Sequence, residues 1–159
     1  MKALFENVEF LLGKKEFSNA TLLPFEKVII NFLKDFSNGL NDHIDIKKYA
    51  DLKSLAFWCR EKNILKNYNF DSNNIRLSLG RVFHITPSNI PTNFAYSMIF
   101  GLINGNNNIV KVPSKNFAQI NIICEVLKKI LKKNRYKKIK EMITIVKYSS
   151  NDKFTEEVS

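Results

Sequence analysis

The chain is poor in the residues that announce a reactive site. It has two cysteines, two histidines and one tryptophan among 159 residues. Cys59 and Cys124 have neither a histidine nor a second cysteine at ligand spacing, which argues against a metal site or a reactive thiol. Both lie in apolar, helix-patterned stretches, LKSLAFWCREKNIL and AQINIICEVLKKIL, where a thiol is a buried, inert packing group. His43 and His84 stand alone, so nothing in the sequence calls for a metal. The two familiar phosphate-binding glycine signatures, G-x-G-x-x-G and G-x-x-x-x-G-K-[ST], are also missing. No run approaches the roughly 18 to 20 uncharged apolar residues that a membrane span needs. Met1 to Glu6 lack the basic region and apolar core of an export signal. A soluble, cytoplasmic protein is the resulting expectation.

What is present suits a folded domain. The hydrophobic fraction of 45% and the thirteen phenylalanines argue against disorder, and the length allows a real core. Charge is lopsided, with 25 basic against 15 acidic side chains and a formal net charge of +10. Much of the excess falls in KKILKKNRYKKIKEM, between Lys128 and Lys140. One reading is a patch for nucleic acid or an anionic membrane. The other is the wet face of an amphipathic helix followed by a basic loop. Ile120, Ile123, Leu127, Ile130 and Leu131 recur at helical spacing, with lysines mainly between them. Tyr136 is the sole aromatic available for base stacking. The solvated face is therefore preferred, and nucleic acid is not expected as a partner.

The pattern divides near residue 70. Residues 1–70 read as a helical region, with Pro24 at a first helical position. Phe25, Ile29, Phe32, Leu33 and Phe36 follow as one stripe ending near Gly39. Asp45 can cap a short segment, and Leu52, Leu55, Ala56 and Cys59 continue a second helix to about Leu65. Residues 67–74 form a turn-rich link. From residue 71 to 159 the period changes. NIRLSLGRVFHIT holds two short strand-like pieces about Gly80, the second being Val82 to Ile85. A helix follows Pro91 and stops at Asn104-Gly105; NIVKV is a strand; Phe117 to about Lys133 is a helix; residues 142–148 are a third strand. The order β-α-β-α-β argues for an α/β fold with a parallel sheet and a partial Rossmann-like unit.

That order gives meaning to residues 84–114, dense in turn formers. In open parallel sheets, ligands bind beyond the carboxyl ends of the strands. TPSNIP follows the first core strand, KVPS ends the second, and each opens a helix whose free N–H groups favour anions. Gly105 and the asparagines after it are expected at positive φ, turning the first helix back. A nucleotide-like ligand fits this rim; turns that merely join elements would also produce the pattern.

The same residues resemble the aldehyde dehydrogenase superfamily. Its members show a glycine and a strand, then Pro-x-Asn-x-Pro, a helix ending in Gly-Asn, and a strand reading Val-x-Lys-Pro-Ser. Here stand Gly80, Val82 to Ile85, Pro87-Ser88-Asn89-Ile90-Pro91, Gly105-Asn106, and Val110-Lys111-Val112-Pro113-Ser114. Within the superfamily the chain is most similar to acyl-CoA reductases of the LuxC type. Ser88 replaces a bulky tryptophan, Val112 separates Lys111 from Pro113, and FWCREKNIL resembles a segment of that family. The similarity runs over roughly residues 45 to 150.

The resemblance implies NADPH-dependent reduction of a fatty acyl thioester, on CoA or a protein, to an aldehyde through a cysteine-bound acyl group. It makes Asn89 an oxyanion stabiliser. It places Lys111 and Ser114 beside the adenosine ribose or its 2′-phosphate, and Thr86, Pro87 and Ser88 along the cofactor cleft. The residues alone leave other uses open: Asn89 capping the next helix, Lys111 as a solvated strand-end charge. The family's nucleophilic cysteine and second glycine motif fall downstream of the matched region and have no counterpart here. The chain is therefore expected to be the N-terminal part of a reductase, inactive by itself and homo-oligomeric at full length. A stand-alone nucleotide-binding module is the alternative, and a basic nucleic-acid binder the lesser one.

Overall fold

The computed structural model describes residues 7–66, 75–87, 89–149 and 155. In chain order the strands are β1 (Glu9–Leu12), β2 (Arg81–Ile85), β3 (Asn107–Lys111) and β4 (Ile143–Lys147). The helices are α1 (Lys27–Asn41), α2 (Ala50–Trp58), α3 (Glu61–Lys66), α4 (Asn93–Ile103), α5 (Ala118–Ile130) and α6 (Lys137–Glu141). The four strands form one sheet in the order β1-β4-β3-β2. β2, β3 and β4 are parallel, with Phe83 opposite Ile109 and Val110 opposite Ile145. The expected β-α-β-α-β unit is thus present as β2-α4-β3-α5-β4.

Period-2 exposure on a two-faced sheet divides the core. Val110, Ile143 and Ile145 face one side, in the same apolar cluster as Phe94, Met98 and Leu102 of α4 and Ile123 and Leu127 of α5. Phe32, Leu33 and Phe36 of α1 join that cluster, so the helical region and the sheet share one core. Each such side chain contributes about 1.5–3 kcal/mol by leaving water. Ile109 and Val146 face the other side, in a small cluster with Val8 and Tyr148 that Phe10, Phe17 and Phe83 flank.

Several expectations need correction. Residues 1–70 are not wholly helical: β1 pairs antiparallel with β4 and makes the sheet mixed. Glu9–Leu12 is four residues long and exposes only Glu9, so it lacks the alternation that signals a strand; pairing with β4 creates it. The edge of β4 is consequently covered. Residues 75–79 form no strand, and Ile75, Leu77 and Leu79 are exposed. Pro24 does not start α1, because Phe25 takes a left-handed φ of 58° and the helix begins at Lys27. α1 ends at Asn41, near Gly39 as expected, but the glycine lies inside the helix. A Cβ there would lie 2.8 Å from Val126 Cγ1, so the glycine lets α1 close onto α5. The second helical pattern breaks at Cys59 into α2 and α3. The expected link at 67–74 lies outside the described residues.

Candidate functional site

The parallel register brings the carboxyl ends of β2, β3 and β4 to one rim. Ile85 stands opposite Lys111, and Lys111 opposite Val146. Two loops rise from this rim, residues 86–92 into α4 and residues 112–117 into α5. Neither helix has a side-chain cap or an acid in its first turn, so their positive dipole ends are left for an anion.

Side-chain bonds tie the loops to the strands. The Thr86 hydroxyl donates to the Lys111 carbonyl at 3.3 Å, joining the two loop origins. The Ser114 hydroxyl donates to the Tyr148 carbonyl at 3.1 Å. The Val112 N–H donates to the Val146 carbonyl at 2.9 Å, extending the ladder past the strand end. Lys111 Nζ lies 4.3 Å from the centre of the Tyr148 ring, which steers the ammonium by cation–π attraction. Among the described residues no carboxylate is paired with Lys111. Its charge is available to an anion.

Thr86, Lys111 and Ser114 are therefore gathered, with Pro87 exposed beside them. Asn89 is exposed on the loop ahead of α4 and does not cap it: the N-cap position is Thr92, without a side-chain bond. Ser88 lies outside the described residues. Tyr148 is the rim residue that sequence reading missed. Its only signal was its place at the end of the third strand.

The asparagine run serves the opposite end of the sheet. Gly105 has φ +75°, and a Cβ there would strike the Leu22 carbonyl oxygen at 2.0 Å. The asparagines are not at positive φ; they act through their side chains. Asn106 Oδ1 accepts from the Leu79 N–H at 2.7 Å, and Asn107 Nδ2 donates to the Glu141 carbonyl at 3.0 Å. Asn108, fully buried, donates through Nδ2 to the Asn106 carbonyl at 2.6 Å. Its Oδ1 then faces His84 Nε2 at 2.9 Å, and His84 Nδ1 faces the Ser97 hydroxyl at 2.8 Å. The amide orientation makes Nε2 the donor and Nδ1 the acceptor of a neutral ring. Burial pushes the His84 pKa below the usual imidazole value, partly opposed by the Asn108 bond. This network holds β2, β3 and α4 together.

The remaining reactive candidates are sealed. Burial pushes the Cys124 thiol up to about 11 and the Cys59 thiol higher still, so neither is a thiolate at neutral pH. Tyr136 is fully buried and cannot stack a base. Its hydroxyl donates to Asp35 Oδ2 at 2.9 Å, where Lys133 Nζ (2.8 Å) and Arg135 Nη2 (2.5 Å) also converge. Two charges of the basic run are thereby paired within the chain, with both side chains still exposed. Among the described residues no helix is long and apolar enough to cross a membrane.

Residues 59–159, which hold the whole rim, match the model of a family described as acyl-CoA reductase (LuxC). The chain belongs to the LuxC acyl-CoA reductase family. The LuxC match begins at the end of α2 and includes both loops, with Asn89, Lys111 and Ser114. No curated protein and no solved structure gives a significant match.

Proposed function

We propose that this chain supplies the cofactor-binding rim and the oxyanion donor of an NADPH-dependent fatty acyl thioester reductase. The carrying observation is the convergence of Thr86, Lys111 and Ser114 where three parallel strands end. The Lys111 ammonium, paired with no carboxylate among the described residues and stacked on Tyr148, suits the 2′-phosphate that separates NADPH from NADH. The Ser114 hydroxyl spends its proton on the Tyr148 carbonyl, which leaves its lone pairs to accept from a ribose hydroxyl. NADPH, when bound, supplies the hydride that turns an enzyme-bound acyl group into an aldehyde. Thr86 fixes the spacing of the two loops that would flank it.

Asn89 is the group for the acyl step. A cysteine thiolate adds to the thioester carbonyl, and negative charge develops on its oxygen before CoA leaves as the thiolate. A neutral amide N–H aimed at that oxygen gains strength as the charge grows; one such donor contributes about 3–4 kcal/mol. The nucleophile itself must come from beyond the residues described, because Cys59 and Cys124 are buried thiols. Supply of this segment to a complete reductase follows, with cytoplasmic location and homo-oligomerisation as parts of the same proposal.

The test is Asn89→Ala in a reductase that carries the nucleophile. Thioester turnover should fall about 10²- to 10³-fold, with NADPH affinity unchanged. Equal loss of turnover and cofactor affinity would remove Asn89 from the oxyanion role.

A further inference from the structure

A cavity of about 690 Å³ opens at the other end of the sheet, between the turn after β1, the end of α5, and α6. Small-molecule sites span roughly 300–1,000 Å³, so the volume suits a ligand of nucleotide size. Its floor is aliphatic: Leu131 and Ile143 are buried, and Leu12 is half-buried. Around it stand Lys14, Lys128, Lys132, Lys137 and Lys140, with Glu16 and Glu141 as the acids present.

Three separate segments deliver these lysines. Lys14 follows Gly13, whose φ of +88° carries the chain tightly over β4; a Cβ there would lie 2.7 Å from Thr144 Oγ1. Lys128 lies in the last turn of α5, where the helix dipole welcomes a cation, and Lys132 follows that helix. Lys137 begins α6, the end at which the dipole disfavours a cation, and no acid offsets it in that turn. Helix formation therefore does not explain the convergence. Among the described residues none of the five is paired with a carboxylate, whereas Lys133 and Arg135 of the same run are held by Asp35. Five like charges around one concavity repel until an anion joins them.

We propose that this pocket binds a small polyphosphate-bearing ligand, its phosphates held by the lysines and its organic part against the aliphatic floor. The site is distinct from the rim at Lys111. Four residue steps of about 3.3 Å along β4 set the two ends roughly 13 Å apart. An extended nucleic acid is the poorer occupant, because among the described residues no aromatic side chain lines the cavity for stacking.

The experiment is calorimetric titration of ATP and of inorganic triphosphate into the chain at physiological salt. Saturable one-to-one binding is expected, with ATP the tighter through its contact with the floor. Lys132→Ala/Lys137→Ala should weaken it at least about tenfold, the scale of two lost charge-assisted contacts. Lys111→Ala, and the surface control Lys53→Ala/Lys62→Ala, should each leave it within about twofold. Lys53, Lys62, Lys132 and Lys137 are exposed and Lys111 is half-buried at a strand end, so the variants should melt where the parent does, and the ATP-induced rise in Tm should vanish only for the pocket pair. Absent saturation, equal weakening by the control pair, or loss with Lys111→Ala would each overturn the proposal. So would an oligothymidylate that binds more tightly than ATP through the same two lysines.

Discussion

Gly101 sits where α4 crosses the buried Asn108 amide: a Cβ there would lie 1.8 Å from Asn108 Oδ1 and 3.1 Å from His84 Nε2. Helix propensity alone would make Gly101→Ala stabilising by about 1 kcal/mol. Displacing a buried amide that satisfies several partners costs about 1–3 kcal/mol for each group left unpaired, so the clash should win. The urea midpoint should drop, and a rise would contradict the packing described. His84 gives the same network a pH dependence. Its folded pKa is lowered, so the unfolded chain takes up the proton first. Stability is full above the unfolded value of about 6.5 and falls as pH drops through the folded pKa. Melting temperature should therefore decline on acidification from pH 7, and His84→Gln should flatten that decline. Asp35 behaves alike in a lower window. Burial raises its pKa, but bonds from Lys133, Tyr136 and Arg135 outweigh this and hold it below the usual carboxylate range. Its contribution is present above about pH 4 and lost as pH falls through the folded value. Asp35→Ala strands the Tyr136 hydroxyl, itself pushed up to about 12 by burial and the neighbouring carboxylate, at a cost of about 1–3 kcal/mol by chemical denaturation. None of this was visible from spacing, because the partners of His84 lie 13 and 24 residues away and those of Asp35 98 to 101.

Periodicity carried most of the elements. The stripes Phe32-Leu33-Phe36 and Ile123-Leu127-Ile130 appear where the pattern put them, and the strands expected at 82–85, 108–112 and 142–148 appear as β2, β3 and β4 with ends shifted by one residue. Failures came where a partner overrides the local signal. β1 is a strand because β4 offers an edge. Composition makes the asparagine run a backbone device, whereas its side-chain amides do the bracing. Gly13→Ala tests the β1 join. The added methyl meets Thr144 Oγ1 at 2.7 Å and the Ile143 carbonyl at 3.0 Å from a left-handed backbone. A destabilisation of about 1–3 kcal/mol should follow. Amide exchange should accelerate first at β4 positions facing β1, and uniform acceleration across the sheet would place the strain elsewhere.

At the scale of the whole molecule, a LuxC-family chain presents two ends of one small sheet with different chemistry. The carboxyl ends of β2, β3 and β4 bring Thr86, Lys111 and Ser114 together. The amino ends are closed by the Asn106–Asn108 bracket, and beside them opens the lysine-ringed cavity, which sequence reading dissolved into a solvated face. Only the fold shows that lysines 14 and 137, far apart in the chain, border the same space.

Nicotinamide fluorescence decides whether the rim at Lys111 holds NADPH, as proposed. The chain and its Lys111→Met variant are each titrated with NADPH and with NADH. The parent should prefer NADPH by about tenfold, the effect of one charge-assisted phosphate contact of about 1.4 kcal/mol. The variant should lose that preference while keeping its melting temperature. A parent indifferent to the 2′-phosphate, or a variant that retains the full preference, would contradict the account.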